Sequence, residues 1–518
     1  MKIYLKSYIY LLIFNSLGLI PLQVKSQNIT SPNIVLIYAD DLGYGDISSN
    51  GGDIPTPHID NLAKNGLKFT NAYAAAATCT PSRYAMLTGE YAWRKKGTGV
   101  APGDATSLIL PGSTTLPGVL QKAGYKTAVV GKWHLGLGKK APVNWNKDIK
   151  PGPLEIGFDY AYLLPATGDR VPTVFVENHR VVNRDPEDPI TVSYLKNLNE
   201  GPTGSKNPEQ LKMMYSHGHN QSITNGISRI GYMSGGEKAL WQDEDIADVL
   251  INKSVGFIEE NKDSPFFLYL ATHDIHVPRV PHKRFAGTTG KGARGDVIVQ
   301  LDYTVSAVQK KLKELGLEEN TLLIFTSDNG PVLDDGYVDG AAERLAEHDP
   351  FGNFRGGKYS TFEAGTRVPF LVQWKGKVKS NQESTALMSQ VDFLRSFATV
   401  TGQNLPKDIA IDSQNHWNAL IGKQAKGRKS VVQQAIRNVL SYIEGNYKYI
   451  EPHSGPSMVP WGVEIETGFN QEPQLYNLKK DPGETENLAS KMPEKTKEME
   501  AALNKIRDSK VLGKSTTD

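Results

Sequence analysis

The 518-residue sequence contains a single cysteine, Cys79, in the stretch Ala75-Ala76-Ala77-Thr78-Cys79-Thr80-Pro81-Ser82-Arg83. A lone buried cysteine ordinarily acts as a small apolar filler. It cannot form a disulfide within its own chain, and an exposed thiol in an oxidising compartment would itself be oxidised. Cys79 is therefore expected either to be buried or to be no longer a thiol in the working protein. Two polar pairs, Asp40-Asp41 and Asp328-Asn329, offer only oxygen ligands. Such donors suit a hard cation, Ca²⁺ or Mg²⁺, rather than Zn²⁺. Arg83, Lys132, His134, His276 and Lys358 add positive or protonatable groups at turns and strand ends. Any one of these has an ordinary explanation, an acidic turn or a solvated lysine, but together they fit an oxyanion. A phosphate or sulfate ester held there would have its charge neutralised while a nucleophile attacked in line.

These side chains need a scaffold that brings distant segments together. Asn33–Ala39 is an unbroken apolar run, and similar runs recur at 127–130, 265–270 and 321–326. Short β-branched runs without alternation suit strands buried on both faces, as in a parallel sheet covered by helices. Helical patterns lie between them at 58–66, 81–88, 115–123, 243–261 and 297–315. The alternation predicts a doubly wound α/β domain with helices on both faces. Each strand ends in polar residues: Asp40-Asp41, then Gly131-Lys132-Trp133-His134, then His273-Asp274-Ile275-His276, then Ser327-Asp328-Asn329-Gly330. Open α/β sheets bind ligands outside the carboxyl ends of their strands, so the four ends should converge on one crevice.

Past residue 400 the texture changes. Alternating segments at 430–435, 439–444 and 447–451, with a turn at Glu444-Gly445-Asn446, predict a small antiparallel sheet closed by a charged helix over 494–508. The polar stretch 200–236, with Ser216-His217-Gly218-His219-Asn220, reads as a long insertion of the kind that is often functional. At the N-terminus, Lys2 and Lys6 precede an apolar run over 8–20 and a cleavage region at Val24-Lys25-Ser26, the pattern of an export signal. The expected organisation is a signal at 1–26, a catalytic domain at 27–400 and a C-terminal α+β subdomain at 401–518. The apolar run is short for a membrane span, which needs ~20 residues, so the mature protein is expected to be soluble. With 58 basic and 56 acidic residues, a net charge of +2 gives no reason to invoke nucleic acid or an acidic membrane surface. A single cysteine in an exported chain suggests a bacterial periplasm or an extracellular location.

Cys79-Thr80-Pro81-Ser82-Arg83 with Leu87-Thr88-Gly89 resembles the first signature of the formylglycine-dependent sulfatases, the type I, arylsulfatase-like members of the alkaline phosphatase superfamily. The segment from Gly124-Tyr125-Lys126-Thr127 to Gly131-Lys132-Trp133-His134-Leu135-Gly136 is similar to that family's second signature. Residues 33–46, Asp328-Asn329-Gly330, Gly356-Gly357-Lys358 through Arg367 and Pro369, and Leu475-Tyr476-Asn477-Leu478 match further blocks in order. The resemblance implies an alkaline phosphatase-like fold and a cysteine converted by a formylglycine-generating enzyme to an aldehyde, whose hydrated form supplies the nucleophile. A second hydroxyl then lets sulfate be expelled without water attacking sulfur. By the same resemblance Asp40, Asp41, Asp328 and Asn329 hold Ca²⁺ with residue 79, and Arg83 fixes the nucleophile. Lys132 and Lys358 clamp sulfate, His134 is the base, and His276 protonates the leaving oxygen with Lys358 assisting. His273 competes for that last role, and the Pro278 that follows favours His276.

The implied substrate is a sulfated carbohydrate, attacked at a chain end. Thr167, Asp169, Arg170, His217, His219 and His273 are candidates to bind it, and Trp93, Trp145 and Trp241 could stack on sugar faces. The alternatives left open are a phosphatase or phosphonate hydrolase of the same superfold, an inactive sulfated-glycan binder, and a transferase. Oligomeric state is not legible.

Overall fold

Asn33–Ala39 is buried along its whole length because it occupies the centre of a sheet with a helical layer on each side. In the computed structural model, which describes residues 31–509, it pairs in parallel with Phe266–Ala271 on one side and Thr321–Ser327 on the other. The export signal read at 1–26 lies outside the described residues. Lys126–Lys132 and Tyr160–Leu164 extend the parallel block beyond Phe266–Ala271. Phe370–Gln373 adds to the other side in antiparallel sense, and short edge strands complete a ten-stranded mixed sheet.

Side-chain alternation in the central strand assigns the two faces. Ile34, Leu36 and Tyr38 pack with Met86 and Leu87 of helix Cys79–Thr88, Leu120 of Leu116–Lys122, and Phe393 and Phe397 of Phe393–Val400. Val35 and Ile37 pack with Leu250 and Ile258 of Ile246–Glu260 and with Ile298, Leu301 and Val305 of Gly292–Glu314. The expected α/β architecture is thus present, with helices on both faces.

The sheet is mixed, within the mixed or parallel arrangement expected, but its short antiparallel and edge strands were not individually located from the sequence. Leu67–Phe69 and Gln382–Ser384 have three residues each, too few for a periodicity to register, and Phe370–Gln373 has four. The C-terminal meander runs Ser430–Gln434, Leu440–Glu444, Tyr447–Ile450 and Gln474–Asn477, one strand more than the sequence suggested. Helix Pro493–Asp508 covers it through Met499 and Leu503. The backbone N–H of Ala77, two residues before Cys79, donates to the Gln434 carbonyl at 2.7 Å, so this small sheet is bonded to the approach to the cysteine. Among the described residues no helix is long and apolar enough to cross a membrane.

One glycine fixes the strand end that presents Lys132. Gly131 has φ +113°, and a Cβ there would lie 1.8 Å from the Ala271 carbonyl oxygen on the neighbouring strand. Gly131→Ala is expected to destabilise the protein by about 2–3 kcal/mol, since neither the backbone angle nor the space accepts a side chain. Equilibrium urea unfolding measures this, and an unchanged midpoint would contradict it.

Candidate active site

Cys79 opens helix Cys79–Thr88 and is 1% exposed. Pro81 falls within the first turn, where its missing N–H costs no hydrogen bond. Arg83 follows Cys79 by four residues and so shares its helix face. It is fully buried, with Nε and a terminal nitrogen 2.8 and 2.7 Å from Asp328 Oδ2. A second terminal nitrogen donates to the Lys132 carbonyl and the Tyr269 hydroxyl, both at 3.2 Å. One helix turn therefore sets both the cysteine and the cation beneath it.

The strand ends converge as the topology requires. Lys132 Nζ lies 2.5 Å from Asp40 Oδ2, and Lys358 Nζ lies 2.9 Å from Asp41 Oδ2. Asn329 Nδ2 donates to Asp41 Oδ1 at 2.8 Å, and the Asp41 N–H to Asp328 Oδ1 at 3.3 Å. Asp41, His134 and Tyr359 have φ of 59°, 54° and 80°. Left-handed backbone at non-glycine residues clusters where a structure over-determines a site. Burial pushes the Asp40 carboxyl well above the usual range against the pull of Lys132. Burial acts the same way on Asp41, but Lys358, with His276 and Lys132, holds it below that range. Burial also raises the Cys79 thiol, opposed by Lys132 and Lys358.

A hard cation fits this group. Ligand atoms of Asp40, Cys79 and Asp328 lie within 4.8 Å of one another, as do those of Asp40, Asp41 and His276. Asp40 Oδ1 and Asn329 Oδ1 are buried without a hydrogen-bond partner. Buried oxygens of that kind are normally satisfied, and a cation would satisfy both.

Above these residues is a cavity of ≈ 360 Å³ whose lining includes Cys79, His276, Lys358, Asp169, Arg170, His217 and His219. Asp169 Oδ2 is 2.9 Å from His219 Nε2, and Oδ1 accepts from Arg170 at 2.9 Å and from the Thr167 hydroxyl. His217 and His219 come from the 200–236 insertion, which folds back over the strand ends: Tyr215 bridges Tyr337, and Ile230 bridges Arg170. Thr167 and His273 are not among the lining residues; His273 Nε2 instead abuts Gly168, where a Cβ would lie 2.2 Å away. His276 faces Lys358, with Nε2 3.2 Å from Nζ. His134 is also absent from the lining; its Nε2 is 2.8 Å from the Ala101 carbonyl and its Nδ1 has no partner.

Three residues escaped the sequence reading. Asp335 receives Lys358 Nζ at 2.7 Å and the Tyr359 hydroxyl at 3.1 Å, and Trp461 lines the cavity beside Tyr359. The tryptophans expected to stack on sugars are elsewhere: Trp145 and Trp241 are in the two hydrophobic layers, and Trp93 stacks on Tyr91. An Asp-Asp-Gly turn at 334–336 was the available signal for Asp335; nothing local distinguished Trp461 from the other tryptophans.

The Sulfatase family profile matches residues 32–403, and the profile described as N-sulphoglucosamine sulphohydrolase, C-terminal, matches 356–509. The chain is similar to an N-acetylgalactosamine-6-O-sulfatase of Bacteroides thetaiotaomicron, 53% identical over 93% of this chain and 94% of that protein. It is also similar to human arylsulfatase A, 30% identical over 92% of this chain and 87% of that one. A solved structure from work on the metabolism of multiple glycosaminoglycans by Bacteroides thetaiotaomicron superposes with a TM-score of 0.91 at 52% identity, covering 92% of this chain and 99% of the other. Agreement of this extent, across both the sheet and the C-terminal meander, establishes that the chain belongs to the sulfatase family and is a sulfuric ester hydrolase.

Proposed function

We propose that this carbohydrate sulfatase removes the 6-O-sulfate of N-acetylgalactosamine at a glycan chain end, in an exported compartment. The observation that supports this most is one cavity in which Cys79, His276 and Lys358 share the lining with the hydrogen-bonded Asp169, Arg170 and His219. Sulfate-handling and hydroxyl-binding groups lie together there, as desulfation of a sugar requires. The 53% identity with the N-acetylgalactosamine-6-O-sulfatase over nearly the whole chain favours that sugar and position. A volume of ≈ 360 Å³ favours a terminal ring over a polymer passing through.

The roles follow from the contacts. Asp40, Asp41, Asp328 and Asn329 would hold Ca²⁺ with residue 79, and the ion when bound would polarise a sulfate oxygen. Formylglycine at position 79, made by a formylglycine-generating enzyme, would supply the attacking hydroxyl. Arg83 holds Asp328 and supports the helix turn that presents residue 79. Lys132 and Lys358 set positive charge beside the sulfate oxygens. His134 bonds the Ala101 carbonyl through Nε2, which fixes the proton on that nitrogen and leaves Nδ1 as the basic atom. Burial, with Lys132 adding to it, keeps this imidazole neutral and able to accept a proton. His276 faces the Val277 carbonyl through Nδ1 at 2.7 Å and Lys358 through Nε2. A proton for the leaving oxygen can therefore come from Lys358, directly or across His276.

Steady-state assays on N-acetylgalactosamine 6-sulfate, its 4-sulfate isomer and N-acetylglucosamine 6-sulfate test the assignment. The first is expected to be favoured in kcat/KM by about 100-fold or more, because a site built to bond particular hydroxyls rejects misplaced ones strongly. Preference for the 4-sulfate or the gluco epimer would overturn it.

A further inference from the structure

We infer that Trp461 is the aromatic platform on which the sugar ring bearing the leaving oxygen stacks, and hence a specificity-determining residue of this enzyme. Of the seven tryptophans, six are buried or half-buried; Trp461 is 40% exposed. Eight large hydrophobic side chains are exposed among the described residues, and two of them, Val100 and Trp461, line the catalytic cavity. Exposed apolar surface gathered in one functional cleft calls for a ligand, whereas the same residues scattered singly would not.

The position is built rather than incidental. Trp461 belongs to the connection 451–473 between two strands of the C-terminal meander. That connection doubles back on itself: the Val459 N–H donates to the Ile465 carbonyl at 2.9 Å, and the Thr467 N–H to the Ser457 carbonyl at 2.8 Å. Val459, Val463 and Ile465 are buried against Val332 and Tyr359. Arg355 grips Glu466 through two nitrogens at 2.6 and 2.8 Å. The indole meets the Tyr359 ring edge-on at a centroid distance of 5.1 Å, and the Tyr359 hydroxyl is bonded to Asp335. The platform is therefore held at its base while a large part of its surface stays open to the cavity.

The chemistry of the lining matches a pyranose. A sugar ring has a polar rim of hydroxyls and an apolar C–H face. Asp169, Arg170 and His219 can answer the rim; an indole supplies a large, rigid apolar surface for the face at little entropic cost. Tyr359 directly follows Lys358, the lysine assigned to the leaving oxygen, so the platform stands next to the ring that becomes the departing alcohol. A sulfate group has no such face, so Trp461 should recognise the alcohol part and not the sulfuryl group.

This inference rests on the carbohydrate reading above, and the test separates the two. Wild type, Trp461→Ala and Trp461→Phe are compared by steady-state kinetics on the sulfated sugar that wild type turns over best, with thermal unfolding as a control for folding. Trp461→Ala is expected to raise KM about tenfold or more with kcat changed less than about twofold, and Trp461→Phe to restore KM to within about threefold of wild type. A KM unchanged in the folded alanine variant, or a phenylalanine variant as impaired as alanine, would overturn the platform while leaving the carbohydrate reading intact. Failure of wild type on every sulfated sugar would overturn both.

Discussion

Cys79→Ala should reduce turnover of a sulfated sugar by at least about 10⁴-fold while leaving the fold in place. Removal of a nucleophile that no neighbour can replace abolishes the step it begins, and no other cysteine exists in the chain to take over. The structural cost should stay near ~1 kcal/mol, because one buried sulfur is deleted at the first position of a helix whose other contacts remain. Arg83 still holds Asp328, and the four oxygen-bearing residues keep their places. Kinetics and thermal unfolding on the same preparation separate the two effects. An alanine variant with more than a hundredth of wild-type turnover would exclude residue 79 as the nucleophile. The mass of the tryptic peptide 69–83 from active enzyme then reports whether an aldehyde has replaced the thiol.

Arg83→Met should bring the largest loss of stability, about 3–5 kcal/mol, together with loss of activity. Methionine fills much of the volume but removes the guanidinium that, among the described residues, pairs with the fully buried Asp328. Lys132 cannot substitute, since its Nζ is 4.0 Å from Asp328 Oδ2 and already engaged by Asp40 at 2.5 Å. The buried carboxylate then lacks its ion-pair partner, and a bound cation would restore it. Added Ca²⁺ should therefore raise the melting temperature of the variant more than that of wild type, measured against samples in EGTA. Equal stability of variant and wild type in EGTA would show that Arg83 does not neutralise Asp328.

Most of the scaffold was legible because its strands are long, apolar and punctuated. Asn33–Ala39 and Thr321–Ser327 run seven residues each and end abruptly in polar pairs, so both the elements and the crevice they share could be read directly. Edge strands such as Gln382–Ser384 were not legible, because three residues carry no period and their pairing is fixed by neighbours distant in sequence. Within the site, residues that follow strands or belong to a recognisable signature could be named. Trp461 could not, since its importance comes from a loop folded against Tyr359, 102 positions away by residue number. The choice of Trp145 and Trp241 as sugar platforms failed for the opposite reason. Composition shows that indoles are available, but only packing shows which are consumed by the core.

The place of the first strand in the sheet also has a consequence during synthesis. Asn33–Ala39 is paired as a strand with Phe266–Ala271 on one side and Thr321–Ser327 on the other, so the centre of the sheet cannot form until both have left the ribosome. At ~5–20 residues per second, the roughly 250 residues between Cys79 and the end of the later strand take about 12–50 s to make. Throughout that interval the segment around Cys79 is nascent chain without the sheet that will bury it. A side chain 1% exposed in the finished protein thus has a period of open access built into the order of its strands.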